Sequence, residues 1–197
     1  MKSSRDKLID ATFQEIYKKG YSGTSLGDIL ENSQVKKGSL YHHFSSKKDL
    51  VLAMIKEKFL ERVEENWQEL SQKDEDIIDT LIFVLKGKDK NFSNGCPLGN
   101  VLQECSGLDE DFVVLMDEIL NSWEKLFENA LNKAIEKKEI KNVDAKGMAL
   151  FLIAIYEGAV LMSKRSKSSK EYQICINQLE HFLDLLKTRS KIDTKKT

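Results

Sequence analysis

The chain has 197 residues, 41% hydrophobic and 32% charged, with one proline, three cysteines and a net charge of −1. That length suits one small and one medium helical core, and an odd cysteine count without C-x-x-C spacing argues against a disulfide scaffold or a structural zinc site. The near-zero charge hides an asymmetry: residues 1–50 carry nine Lys/Arg against six Asp/Glu, and residues 51–197 carry 22 against 26, so the N-terminal end is the basic one.

The N-terminal M-K-S-S-R-D-K lacks the apolar core of a signal peptide. The longest uncharged apolar run, Met148 to Tyr156, falls far short of the ~20 residues of a membrane span, so a cytoplasmic chain without membrane contact is expected. Ser3 and Asp6 form a capping box for a first helix carrying Leu8, Ile9, Thr12, Phe13, Ile16 and Tyr17 at helical spacing until Gly20. After the turn Y-S-G-T, Ser25 caps a second helix with Asp28, which presents Leu26, Ile29 and Leu30 and ends near Asn32.

A four-residue turn, Asn32 to Val35, leads into the stretch Q-V-K-K-G-S-L-Y-H-H-F-S-S, read as a short helix. Leu40 and Phe44, one turn apart, face inward; Gly38 and His42 face outward with Ser39 and Tyr41 on the flanks. Gly38 costs a helix interior roughly 1 kcal/mol against Ala, so something is expected to approach the backbone there. Lys36 and Lys37 precede it, Lys36 nearer the inward side. The order and lengths are those of a helix-turn-helix headpiece with a DNA recognition helix.

Ser46 and Asp49 open a fourth helix running to about Ser71, ~37 Å at 1.5 Å per residue, whose first turn places Lys47 and Lys48 beside unpaired amides that suit a phosphate. A fifth helix follows from Asp74 to Gly87, with Ile77, Ile78, Leu81, Ile82 and Leu85. Cys96 and Pro97 then open a sixth that runs to Gly107, proline being favoured at the first helical position. The seventh spans about Asp109 to Lys138. Asp144 caps an eighth that is apolar nearly all round from Met148 to Met162. The ninth carries Ile174, Cys175, Ile176, Leu179, Phe182, Leu183 and Leu186. Two such apolar terminal helices predict a self-associating four-helix bundle, with Leu179 and Leu183 at its interface. Residues 189–197 read as a disordered tail.

Residues 24–50 resemble the DNA-binding segment of TetR-family transcriptional regulators. The likeness rests on Gly38, Ser39, Leu40, Tyr41, His42, His43 and Phe44, followed by Lys47 three residues before Leu50. It departs at Gln34, where the family often has glycine; a left-handed Gln there costs roughly 1–2 kcal/mol. The resemblance implies an all-α homodimer of about nine helices per chain, with a headpiece over residues 1–46 and a ligand-sensing and dimerisation domain over 47–188. It further implies that Ser25, Lys36, Tyr41, His42 and Lys47 touch phosphates of a double-stranded DNA operator, while Lys37, Gly38 and Ser39 face bases. Residues 94–112 resemble the regulatory domain of the branch typified by the repressor of N-ethylmaleimide reductase. There Cys96 takes the place of an electrophile-sensing thiol and Lys164 that of a lysine near it.

Cys96 thus has two readings, a reactive thiol favoured by a helix N-terminus or a packed helix cap. Cys105 and Cys175 lie on apolar faces and read as core, and His181 as surface or interface. Trp67, Phe83, Phe92, Trp123, Phe127, Phe151 and Tyr156 either line a pocket for a small-molecule effector or are plain core. No cofactor or metal is expected, and no phosphate loop or triad is visible. The functional reading is therefore a dimeric regulator rather than an enzyme. A ligand-independent architectural DNA binder and a thiol enzyme are the alternatives.

Overall fold

A computed structural model describes residues 2–87 and 92–188; the tail expected from residue 189 and part of the loop after Gly87 lie outside the described residues. The described chain is all-helical: α1 (Ser4–Lys19), α2 (Leu26–Ser33), α3 (Lys37–His43), α4 (Lys47–Ser71), α5 (Ile77–Lys86), α6 (Pro97–Cys105), α7 (Glu110–Glu136), α8 (Ala145–Ser166) and α9 (Lys170–Leu186). It gathers into two compact units, Met1–Glu65 with Asn94–Ser122 and Asn66–Ser93 with Trp123–Thr197.

In the first unit α1 packs on α2 and α3. Both expected capping boxes form: Ser3 accepts from the Asp6 amide and Ser25 from the Asp28 amide, each aspartate answering at the cap backbone. These bonds satisfy amides that have no partner within the helix and set where α1 and α2 begin. Leu8, Ile9, Ile16, Ile29, Leu40, Phe44, Leu50, Val51, Met54 and Ile55 are buried at the expected helical spacing, while Phe13, Tyr17, Leu26 and Leu30, expected on the same inner faces, are half-buried. Thr12 is buried among them and donates its hydroxyl to the Leu8 carbonyl at 2.7 Å. α2 ends in Gln34 at φ 56°, the left-handed position a glycine would fill more cheaply. Its side-chain amide donates to the Glu31 carbonyl at 2.6 Å, which offsets part of that cost. The fourth helix opens slightly differently from expectation. Ser46 does cap the Asp49 amide at 3.0 Å, but the Asp49 carboxylate answers Ser45 N–H at 2.9 Å rather than Ser46.

The second unit is built on α9, against which α8 and α5 pack. Tyr172 is fully buried: its hydroxyl donates to the Leu85 carbonyl at 2.6 Å and its amide to Ser163 Oγ at 2.9 Å, tying α9 to α5 and α8. Asp76 precedes α5 in a left-handed conformation without a side-chain cap; the Glu139 carboxylate supplies it instead, accepting from the Ile77 amide at 2.8 Å.

The terminal helices correct one expectation. Leu179 and Leu183 are 4% and 0% exposed, so they belong to the chain's own core and not to an outer face. Leu150, Phe151, Leu161 and Met162 on α8, with Ile174, Phe182 and Leu185 on α9, are the apolar residues that remain exposed. By length and composition α8 is apolar enough to cross a membrane, although its uncharged run is short. Ala149, Leu152, Ile153, Ala159 and Val160 on the same helix are nevertheless buried within the unit.

Candidate nucleic-acid interface

α3 is held from one side only. Leu40 and Phe44 are buried at 0% and 4%, while Gly38, Tyr41 and His42 are exposed and Ser39 is half-buried. A Cβ built on Gly38 would meet nothing within 4 Å, so no neighbour in the chain requires a glycine there. The residue leaves the backbone bare toward the outside, where a partner can approach it. Lys36 is the N-cap of α3, exposed rather than inward, because the chain is still extended there and has not entered the helix. Lys37 Nζ lies 5.9 Å from the Tyr41 ring centroid, a cation over an aromatic face, and the His42 and His43 rings stand edge to face at 5.1 Å. Side by side, the face presents ammonium, hydroxyl, phenol and imidazole groups around an uncovered backbone.

Ser25 and Lys47 border this face differently. Ser25 is exposed, and its hydroxyl is shared with the Asp28 carboxylate. Lys19 and then Ser25 hold that carboxyl well below its ordinary range. Lys47 is half-buried; its ammonium donates to the Tyr21 carbonyl and lies 4.2 Å from the Tyr21 ring centroid. Burial lowers its pKa, with the Glu104 charge opposing. Lys48 is paired with Asp109 and Asp111, both at 2.6 Å. The two lysines expected to offer a phosphate site at the start of α4 are thus engaged by the protein, Lys47 by the Tyr21 carbonyl and ring and Lys48 by acids some sixty residues away, partners that no local pattern reveals.

In the same unit Cys96 is the N-cap of α6 with Pro97 at its first position and Gly95 at φ 80° before it; the thiol is half-buried. The Gly95 carbonyl accepts the Tyr17 hydroxyl at 3.0 Å. Cys105, at the other end of α6, is fully buried and its thiol is pushed up to about 11 by that burial. Cys175 is half-buried rather than core. Lys164 is exposed and belongs to the second unit.

The aromatic candidates divide. Trp67, Trp123, Phe127, Tyr156 and Phe92 form one cluster in the second unit, extended by Tyr172: Trp67 lies 4.7 Å from Phe127, Trp123 5.4 Å from Tyr156 and Phe92 4.4 Å from Tyr172. The Trp123 indole N–H is buried there without a hydrogen-bond partner among the described residues. Phe127 also borders a narrow apolar crevice with Leu70, Ile77, Leu81 and Leu152 that has no room for a water molecule. Phe83 is 61% exposed on α5, and Phe151 packs instead against Phe182, ring centroids 5.6 Å apart; neither joins the cluster. Helical spacing identifies these residues as apolar but not which side of the unit each one meets.

The chain is similar to known proteins. Residues 8–54 match the family described as bacterial regulatory proteins of the tetR family, and residues 76–179 match a tetracyclin repressor-like C-terminal domain. An HTH-type transcriptional regulator from the lacX 3' region of Lactococcus lactis subsp. lactis is 32% identical, over 95% of this chain and 93% of that protein. The HTH-type transcriptional repressor DhaR of Mycobacterium sp. strain GP1 is 29% identical, over 81% of this chain and 82% of its own length. Among solved structures, the reduced form of E. coli NemR superposes with a TM-score of 0.84 at 22% identity, covering 96% of this chain and 99% of that one, a likeness of fold.

Proposed function

The chain belongs to the TetR family and is a DNA-binding transcriptional regulator, and from that premise we propose a homodimeric repressor released from a palindromic operator by a small apolar effector or by modification of Cys96. In this reading residues 1–46 bind DNA, and residues 47–188 sense the effector and dimerise. Lys37, Gly38 and Ser39 face bases, while Ser25, Lys36, Tyr41, His42 and Lys47 grip phosphates.

The observation that carries the reading is the outer face of α3, which is rich in donors and bare at Gly38, where no packed neighbour among the described residues comes within 4 Å of the space a Cβ would take. Such a surface suits a DNA groove, since a bare backbone lets the helix come close to the base edges while the polar side chains beside it hydrogen-bond to bases and phosphates. Repression is the role named for the DhaR relative. The exposed apolar residues of α8 and α9 support a second copy as partner. The aromatic cluster with its unpartnered Trp123 N–H supports an apolar effector that carries a hydrogen-bond acceptor. Cys96 is favoured over Cys105 as the modifiable thiol, because the second is buried and hard to ionise.

Selection of duplexes from a randomised library tests the reading. A dimer should enrich a palindrome with half-sites about one helical turn apart. The selected duplex is then titrated with the parent and with Cys96→Ser, each before and after N-ethylmaleimide. Loss of affinity in the parent alone supports the thiol route; equal loss in both, or none in either, removes Cys96 as sensor and leaves the apolar effector. A chain that held the duplex under every small molecule tried would be an architectural binder.

A further inference from the structure

We propose that Glu104, on the last turn of α6, is a positioning residue for DNA binding: its carboxylate fixes the α1–α2 turn and, through that turn, Ser25 and Lys47. The proposal rests on the DNA-binding reading above. Nothing in the local sequence around Glu104 suggests it, and the residue does not reach the outer face of α3.

Both carboxylate oxygens are used. Oε2 accepts from the Tyr21 amide and Oε1 from the Ser22 amide, each at 2.7 Å, so one charged group holds two consecutive amides of a loop more than eighty residues away. Charge-assisted bonds of this length are about twice as strong as neutral ones. The loop is shaped to admit the carboxylate. Gly20, at φ +78°, ends α1, and a Cβ there would lie 2.6 Å from Glu104 Oε2. A side chain at residue 20 and the clamp cannot coexist without a shift.

The rest of the turn hangs on this clamp. The Thr24 hydroxyl donates to the Gly20 carbonyl at 2.7 Å, and Ser25 follows at once as the cap of α2. On the other side of the Tyr21 peptide, the Tyr21 carbonyl accepts the Lys47 ammonium while Glu104 holds the Tyr21 amide. The Tyr21 ring meets that ammonium and also Phe112, edge to face at 5.3 Å. Moving Glu104 therefore moves Ser25 and Lys47, two of the groups implied to hold phosphate. α6 is also tied to α1 at its other end, where the Tyr17 hydroxyl meets the Gly95 carbonyl. A displacement of α6 would reach the DNA-facing residues through α1 and its turn.

Charge alone predicts the opposite effect, which makes the test sharp. A carboxylate beside a phosphate-binding lysine weakens attraction to DNA, so neutralising it should tighten binding unless the carboxylate is what holds the loop. The parent, Glu104→Gln, Glu104→Asp, Lys47→Ala and the double variant E104Q/K47A are titrated, at several salt concentrations, on the duplex selected by the parent from a randomised library. E104Q is expected to bind about tenfold more weakly, with a shallower salt dependence. The double variant should lose less than the product of the two single losses, because part of the Glu104 effect passes through Lys47 and only the part carried by Ser25 remains. E104D keeps the charge but withdraws it by one methylene, so it should lose affinity as well; it decides the matter if E104Q fails to fold. E104Q and E104D binding as tightly as the parent, or losses that multiply in the double variant, would overturn the proposal alone. A parent that retains no duplex would overturn it together with the DNA-binding reading.

Discussion

Gly38 is the residue at which stability and function should part. In a helix interior alanine is better than glycine by about 0.5–1 kcal/mol, and a methyl group at this position meets nothing in the protein. Gly38→Ala is therefore expected to leave the thermal unfolding midpoint unchanged or raise it slightly, while weakening binding to the selected duplex at least tenfold. Thermal unfolding followed by circular dichroism, paired with a DNA titration, checks both halves. Undiminished affinity would mean that nothing approaches the bare backbone. Gln34 is the opposite kind of residue. Its left-handed conformation costs folding energy, its side chain returns a hydrogen bond to Glu31, and the turn keeps the shape that presents α3.

At the scale of the element, α9 separates residues that hold the chain's own core from apolar residues left exposed, which the proposed dimer would cover. Leu183 is 0% exposed, whereas Ile174 is 53% and Phe182 37% exposed on the same helix. An aspartate at Leu183 buries an unpaired charge, which a protein core tolerates only at a cost of several kcal/mol, so Leu183→Asp should lower the unfolding midpoint steeply. Ile174→Asp and Phe182→Asp should keep the fold and yield monomers in sedimentation analysis, with weakened binding to a palindrome. If both exposed-site variants sediment as dimers, the face of α8 and α9 is not the contact between copies. α5 illustrates a different dependence. It has no cap in its own sequence, and the Glu139 carboxylate, bonded to Ile77 N–H, holds its first turn in place.

Over the whole molecule, the pH response follows from where carboxylates are held in ion pairs and caps. Lys19, then Ser25, depress the Asp28 carboxyl; Lys2 and Lys58 depress Asp10; Lys19 and Asn32 depress Glu15. For Glu104, burial pushes upward but the Ser22 and Tyr21 bonds prevail, and the net shift is downward. A folded pKa below the unfolded value contributes stability that is present above the ordinary carboxylate range of about 4 and disappears as pH falls through the folded value. The unfolding midpoint should thus be level from about pH 7 to 5 and fall below about pH 4. Lys19→Met removes the principal partner of Asp28 and Glu15, so its deficit against the parent should be present at neutral pH and close in acid. A deficit that is the same at pH 3 and pH 7 would show that Lys19 acts through packing and not through those charges.

Much of this molecule is written locally. Ser3 with Asp6 and Ser25 with Asp28 mark the starts of α1 and α2, Leu40 and Phe44 four residues apart orient α3, and Cys96 with Pro97 opens α6, because each depends on atoms within one helical turn along the chain. The helix-turn-helix and its exposed face were legible for the same reason. Other features needed the packed chain. Glu104 on the Tyr21 and Ser22 amides, Glu139 on α5 and Lys48 against Asp109 and Asp111 join residues 61 to 83 positions apart. Periodicity marked Leu179, Leu183 and Phe182 alike as apolar, yet burial placed the first two inside and left the third exposed. A hydrophobic pattern records that a residue avoids water, and only the folded chain supplies the surface against which it does so.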